Sequence, residues 1–137
     1  MTIQLSVAVR NAELDAIEAT IGVDPLLQIF DGALPANCAA ADSGTMIAEG
    51  TLPTDWMDDA ASGSKAKLGV WEVFGLPAAG AGTDGVYFRI KDATGTVCGI
   101  QGTFGEAGTE DMVADNSNIA DTQVVTVVTF TFTAGNA

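Results

Sequence analysis

The chain has 137 residues, 18 of them acidic and five basic, with no histidine and a formal net charge of −13 at pH 7. Such a charge is repelled by nucleic acid and by anionic membrane surfaces, and the missing imidazole removes the usual neutral-pH proton shuttle and the commonest metal ligand. Hydrophobic residues make up 47% and charged residues 17%, enough for one packed domain spanning 1–137, while no run reaches the roughly 20 apolar residues of a membrane helix. The start Met1-Thr2-Ile3-Gln4-Leu5 carries neither a basic segment nor a long apolar one. No secretory signal is expected, and the chain should fold first in a reducing cytoplasm.

Leu14, Ile17 and Ile21 recur at helical spacing, with Val9, Ala12 and Ala16 widening the stripe. They predict a helix over about 6–21. Ser6 suits its N-cap and Gly22 a left-handed C-terminal residue, with Glu13, Asp15 and Glu18 mostly on the solvent side. From about 25 to 133 the pattern changes to short strands, turns and small side chains, with 16 glycines in the chain. Leu26 to Phe30 is a compact apolar run bounded by Pro25 and Asp31-Gly32. Leu34 to Gly44 has loop chemistry, Thr45 to Leu52 reads as a weakly alternating strand, Pro53 to Lys67 as a second long loop, and Leu68 to Phe74 again as a strand. In the next strand Val86, Phe88 and Ile90 share one face and Tyr87, Arg89 and Lys91 the other. Asp92-Ala93-Thr94-Gly95 supplies a turn. The return strand, Thr96 to Phe104, places Cys98, Ile100 and Phe104 on one side, and its glycines at 99 and 102 allow a bulge or a close backbone approach. Gln123 to Thr133 is the strongest strand. Val124, Thr126, Val128, Phe130 and Phe132 are expected on one face, and a strand this long is central or covered, because a free edge invites aggregation. The fold class expected is mainly β: a compact antiparallel β-sandwich, jelly-roll-like, with one N-terminal α-helix.

Carboxylates at Asp55, Asp58, Asp59, Glu106, Glu110 and Asp111 would have to supply any acid pair. All lie in turn-like segments with nothing to raise a pKa, so solvated loop charge is the expectation. Ser62-Gly63-Ser64-Lys65 is a short, weak echo of a serine–lysine pair. Asp115-Asn116-Ser117-Asn118 lacks the glycine and distal glutamate of a Ca²⁺ loop and reads as an Asx-type turn. Gly80-Ala81-Gly82-Thr83 has no following lysine and no βαβ setting. No catalytic residue, cofactor site or metal site is assigned, and the chain is read as a non-enzyme. Trp71 belongs to a strand pattern and is expected in the core. Trp56 either pins its loop onto the body or touches a neighbour, and Tyr87 is the second candidate for a partner contact. Cys38 and Cys98 fit neither metal spacing nor a CxxC motif. Two buried thiols are one reading. The other is a late disulfide, formed in an oxidising medium and contributing roughly 4 kcal/mol by loop-closure entropy.

Val9 to Glu18 (VRNAELDAIE), Pro35 to Gly44 (PANCAAADSG), Leu52 to Met57 (LPTDWM), Ser62 to Ala66 (SGSKA), Phe88 to Asp92 with Gly95-Thr96, and Phe130 to Ala137 (FTFTAGNA) resemble segments of a family of small tailed-bacteriophage virion proteins. That resemblance implies a structural component of the phage particle and transfers no site residues. Packaged DNA is densely anionic, so a chain of this charge is expected on the outer surface of the virion, made in the host cytoplasm. The leading expectation is a head decoration, or cement, protein bound to the major capsid protein and self-associating as a homo-oligomer, with no nucleic-acid or membrane partner. A tail-tube, collar or tail-tip component is the first alternative. A host-glycan-binding module stacking sugars on Trp56 or Tyr87 is the second.

Overall fold

The structure is a computed structural model that describes residues 3–135; positions 1–2 and 136–137, which hold the outermost parts of the Met1–Leu5 start and of the FTFTAGNA end, lie outside the described residues. One helix, α1 (Val7–Ile21), precedes strands β1 (Leu26–Phe30), β2 (Met46–Thr51), β3 (Ser64–Ala66) and β4 (Glu72–Gly75). A 3₁₀ turn (Pro77–Ala79) leads to β5 (Thr83–Asp84), β6 (Tyr87–Lys91), β7 (Cys98–Gly105), β8 (Met112–Ala114), β9 (Asn118–Ile119) and β10 (Val124–Thr133). The chain is therefore mainly β with one N-terminal helix, as its composition predicts.

The two-layer sandwich is corrected. The main sheet runs β10-β4-β2-β1-β6-β7-β8, and β8 pairs back to β10, so seven strands close into a barrel. Closure follows from the length of β10. Its residues Val124–Thr126 pair with β4, Val127–Phe130 with β8, and Thr131–Thr133 with β3. The strand expected to be central is thus paired along nearly its whole length, which removes the edge it would otherwise expose. One pairing departs from the antiparallel expectation: β8 lies parallel to the end of β7. The chain gets there by a tight excursion over 106–111, tied down where Thr103 N–H donates to Asp111 Oδ2 at 2.9 Å and Asp111 N–H donates to Thr103 Oγ1 at 2.9 Å. Gly102 makes room for this: a Cβ there would lie 2.8 Å from Asp111 Oδ2.

The barrel interior is filled by side chains, as a barrel this narrow requires. Leu27, Ile29, Ile47, Trp71, Val73, Phe88, Ile90, Phe104, Met112, Val125, Val127 and Phe130 are all buried. Phe130 is the hub, with ring centroids 5.3 Å from Trp71, 5.4 Å from Phe88 and 4.8 Å from Phe132. The facing of β10 differs from expectation. Val125 and Val127 point inward, while Val124 and Val128 are 48% and 55% exposed. A register shift against β8 between Val127 and Thr129 then turns Phe130 inward. One extra residue in a strand switches every later side chain to the other face.

The helix begins and ends as predicted, with Ser6 Oγ accepting from Val9 N–H at 3.2 Å and Gly22 N–H donating to Glu18 O at 2.9 Å. Its anchoring is different. Only Leu14 is buried on it, and the face expected to be wet holds the 53–67 segment. Asn11 Oδ1 accepts from Gly63 N–H (2.9 Å), Asp15 Oδ1 from Ala60 N–H (3.0 Å), and Glu18 Oε1 from Met57 N–H (3.1 Å). Residues spaced by three or four line one side of a helix, and here they satisfy backbone donors that the looped segment leaves unpaired. Lys65 completes the junction from below, 2.8 Å from Asp15 and 3.0 Å from Glu18. Ala134 N–H donates to Gly63 O at 3.0 Å, so the helix and the end of β10 meet at one residue.

Candidate functional site: a loop clasped over the barrel wall

The segment between β1 and β2, residues 31–45, does not hang free. It folds across the outer face of β1, β6 and β7, the face that carries Phe30, Tyr87, Arg89, Lys91 and Gln101. Tyr87 stacks on Phe30 with centroids 4.9 Å apart, and its hydroxyl both donates to Ser43 O and accepts from Ser43 N–H, each at 2.9 Å. Arg89 Nη1 lies 2.8 Å from Asp42 Oδ1, and Lys91 Nζ 2.9 Å from Asp42 Oδ2. Arg89 also donates to Asn37 O at 3.1 Å, and Gln101 Nε2 donates to Pro35 O at 2.7 Å. The base of the loop is closed by Thr45 N–H donating to Asp31 Oδ1 at 2.6 Å.

This clasp explains why all five residues of β6 are buried. The alternation of β6 is present, but its polar side faces a folded loop and not water. Tyr87 is consequently corrected from partner contact to buried anchor of the loop. Of the two readings open for Trp56, the loop anchor holds and the partner contact is corrected. Trp56 is fully buried, donates from Nε1 to Gly22 O at 3.0 Å, and packs 5.9 Å from Trp71, so it pins its own segment under the helix end. Sequence reasoning missed Asn37, Asp42 and Gln101. The available signal was a pair of cations at alternate positions of one strand, in a chain with only five basic residues.

Cys38, in the clasped loop, and Cys98, at the start of β7, come together with Sγ atoms 2.8 Å apart. Both are half-buried thiols. With Asp42, Arg89 and Lys91 they line a surface recess of about 360 Å³. Burial first, then the neighbouring Cys38, pushes the Cys98 thiol up to about 12, against the opposing pull of Arg89 and Lys91.

The remaining motifs resolve into structure. Lys65, the base of the serine–lysine echo, is drawn down by burial, but the bonds and charges of Asp15 and Glu18 outweigh this and raise it above its ordinary value. A lysine held so firmly as ammonium is a poor base. Asn118 N–H donates to Asn116 Oδ1 at 3.1 Å, the Asx-type turn expected of that stretch. Among the acidic candidates, Asp111 is engaged with Thr103, and Glu106 accepts from Ser117 Oγ at 2.8 Å. Asp55 departs from expectation: desolvation first, then the charge of Glu18, raises its carboxyl above the ordinary range. Its side chain is nonetheless exposed, and the charges acting on it are those of Glu18, Asp59 and Lys65. Among the described residues, no three of His, Cys, Asp or Glu gather as metal ligands, and no helix is long and apolar enough to cross a membrane.

The clasp and the helix junction also rearrange charge. Lys65, Arg89 and Lys91, three of the five basic residues, are only 2%, 2% and 8% exposed. Their charges are spent inside, against Asp15, Glu18 and Asp42. No protein family, curated protein or solved structure matches the chain.

Proposed function

We propose that the chain is a structural component of a tailed-phage particle, specifically a head decoration protein seated on the outer surface of the capsid. The observation that carries this reading is the distribution of charge: a net −13 with most of its cations buried in ion pairs. Carboxylates facing solvent repel DNA phosphates, which favours a position separated from the genome by the shell. Charge of this sign seeks a basic patch on the capsid protein, which would steer docking. Repetition over a lattice lets weak single contacts hold collectively. The segment resemblances point the same way.

The protein is then expected in tens to hundreds of copies per particle, and particles lacking it should lose their DNA at a lower temperature. Quantitative densitometry of purified virions, with thermal release of DNA from particles made with and without the protein, tests both. A handful of copies per virion points to a tail, collar or tail-tip component and rejects the decoration reading. The glycan-binding alternative loses its two stacking residues, since Trp56 and Tyr87 are inside the fold.

A further inference from the structure

We propose that Cys38 and Cys98 are an oxidation site, a dithiol built to close into a disulfide that locks the 31–45 loop onto the barrel wall. Three observations carry it. The two sulfurs are 2.8 Å apart although 60 positions separate the residues in sequence. Both side chains are half-exposed and open into the recess beside Arg89 and Lys91, so a small oxidant reaches them. The polar clasp already holds the loop that carries Cys38 against the strands beside Cys98, binding it at Asn37 and Asp42 on either side of the thiol.

The reaction is thiol–disulfide exchange with a small-molecule disulfide such as oxidised glutathione. The exchange opens at either sulfur; with Cys38 attacking, Cys98 resolves the adduct. Cys38 gives up its proton and attacks one sulfur of the oxidant. The mixed disulfide forms and the first glutathione leaves as thiolate, taking up that proton. Cys98 then gives up its proton as it attacks the Cys38 sulfur, forming the Cys38–Cys98 bond and expelling the second glutathione, which is protonated in turn. The protein loses two electrons and two protons, and one oxidised glutathione becomes two reduced ones. In a reducing cytoplasm the pair stays open, and it closes where the poise is oxidising. The lock is thus added only where the surroundings are oxidising; that this follows particle assembly rests on the proposed function, whereas the exchange itself does not.

The test uses the full chain, purified reduced and then exposed to oxidised glutathione. Intact-mass measurement after alkylation should show wild type lighter by two hydrogen atoms and carrying no alkyl group, with a melting temperature higher by about 10 °C than in reductant. C38S and C98S should each stop at one glutathione adduct with no such rise. If wild type keeps both thiols open to alkylation, accumulates glutathione adducts, or links into dimers, the proposal is overturned. The wild-type mass alone decides the point even where a variant folds poorly.

Discussion

Asp42 divides its two carboxylate oxygens between Arg89 and Lys91, and both cations lie buried between the barrel wall and the loop. Removing one partner of a buried pair leaves the others charged and unsolvated, which costs far more than the pair contributes. D42A is therefore expected to destabilise the protein by about 2–3 kcal/mol, below the fully buried value because Asp42 is 38% exposed. It should also open residues 31–45 to limited proteolysis in the reduced protein. Urea unfolding together with protease digestion checks this; a loop that stays resistant at unchanged stability would show that Asp42 is not the clasp. Little of this was legible in the sequence. Tyr87, Arg89 and Lys91 alternate with apolar residues as a solvent-facing row would, and periodicity cannot tell water from a folded loop. Cys38 and Cys98 stood as two open readings because spacing along the chain carries no distance in space. Trp71 was legible because it lies within a strand pattern, whereas Trp56 sits in a segment whose shape is set by contacts with α1.

At the scale of elements, β2 and β4 approach so closely that a Cβ on Gly50 would fall 1.9 Å from the Glu72 carbonyl oxygen. A backbone atom in a paired strand cannot step aside. G50A should cost about 3 kcal/mol or more by forcing the two strands apart. G108A, in the 106–111 excursion with open space around it, should stay within about 0.5 kcal/mol. Denaturant midpoints of the two variants compare them directly, and similar midpoints would contradict the close approach. The long elements were readable from pattern: β1 matches its predicted run, and β6, β7 and β10 fall within a residue or two of theirs. What pattern could not supply was the bulge in β10, which changes facing without changing composition, and the two- and three-residue strands β3, β5, β8 and β9, too short to show any period; β3 lies inside the 53–67 segment that reads as loop. Barrel closure depends on β8, so the sandwich expectation failed where the sequence was silent.

For the whole molecule, pH acts through groups that folding displaces in opposite directions. Asp15 is held below the ordinary carboxylate range by the hydrogen bond from Lys65 and then by the Ala60 amide; Asp92 is held down by the Val97 amide and the Thr94 hydroxyl. Their folded values lie below their unfolded ones. The stability they contribute is present above about pH 4 and lost as pH falls through the depressed values. Lys65 is raised, so its share is present below the ordinary lysine range and lost as pH climbs through the folded value. Stability should form a plateau between these limits. D15N should flatten the acid limb, and urea midpoints measured against pH for both proteins would show it; an unchanged acid slope would remove Asp15 from the account. The meeting at Gly63 of α1 and the last residues of β10 has a use of its own. Through the N–H and C=O of one residue it couples the helix to the strand that closes the barrel, so fraying α1 should loosen the end of β10 with it.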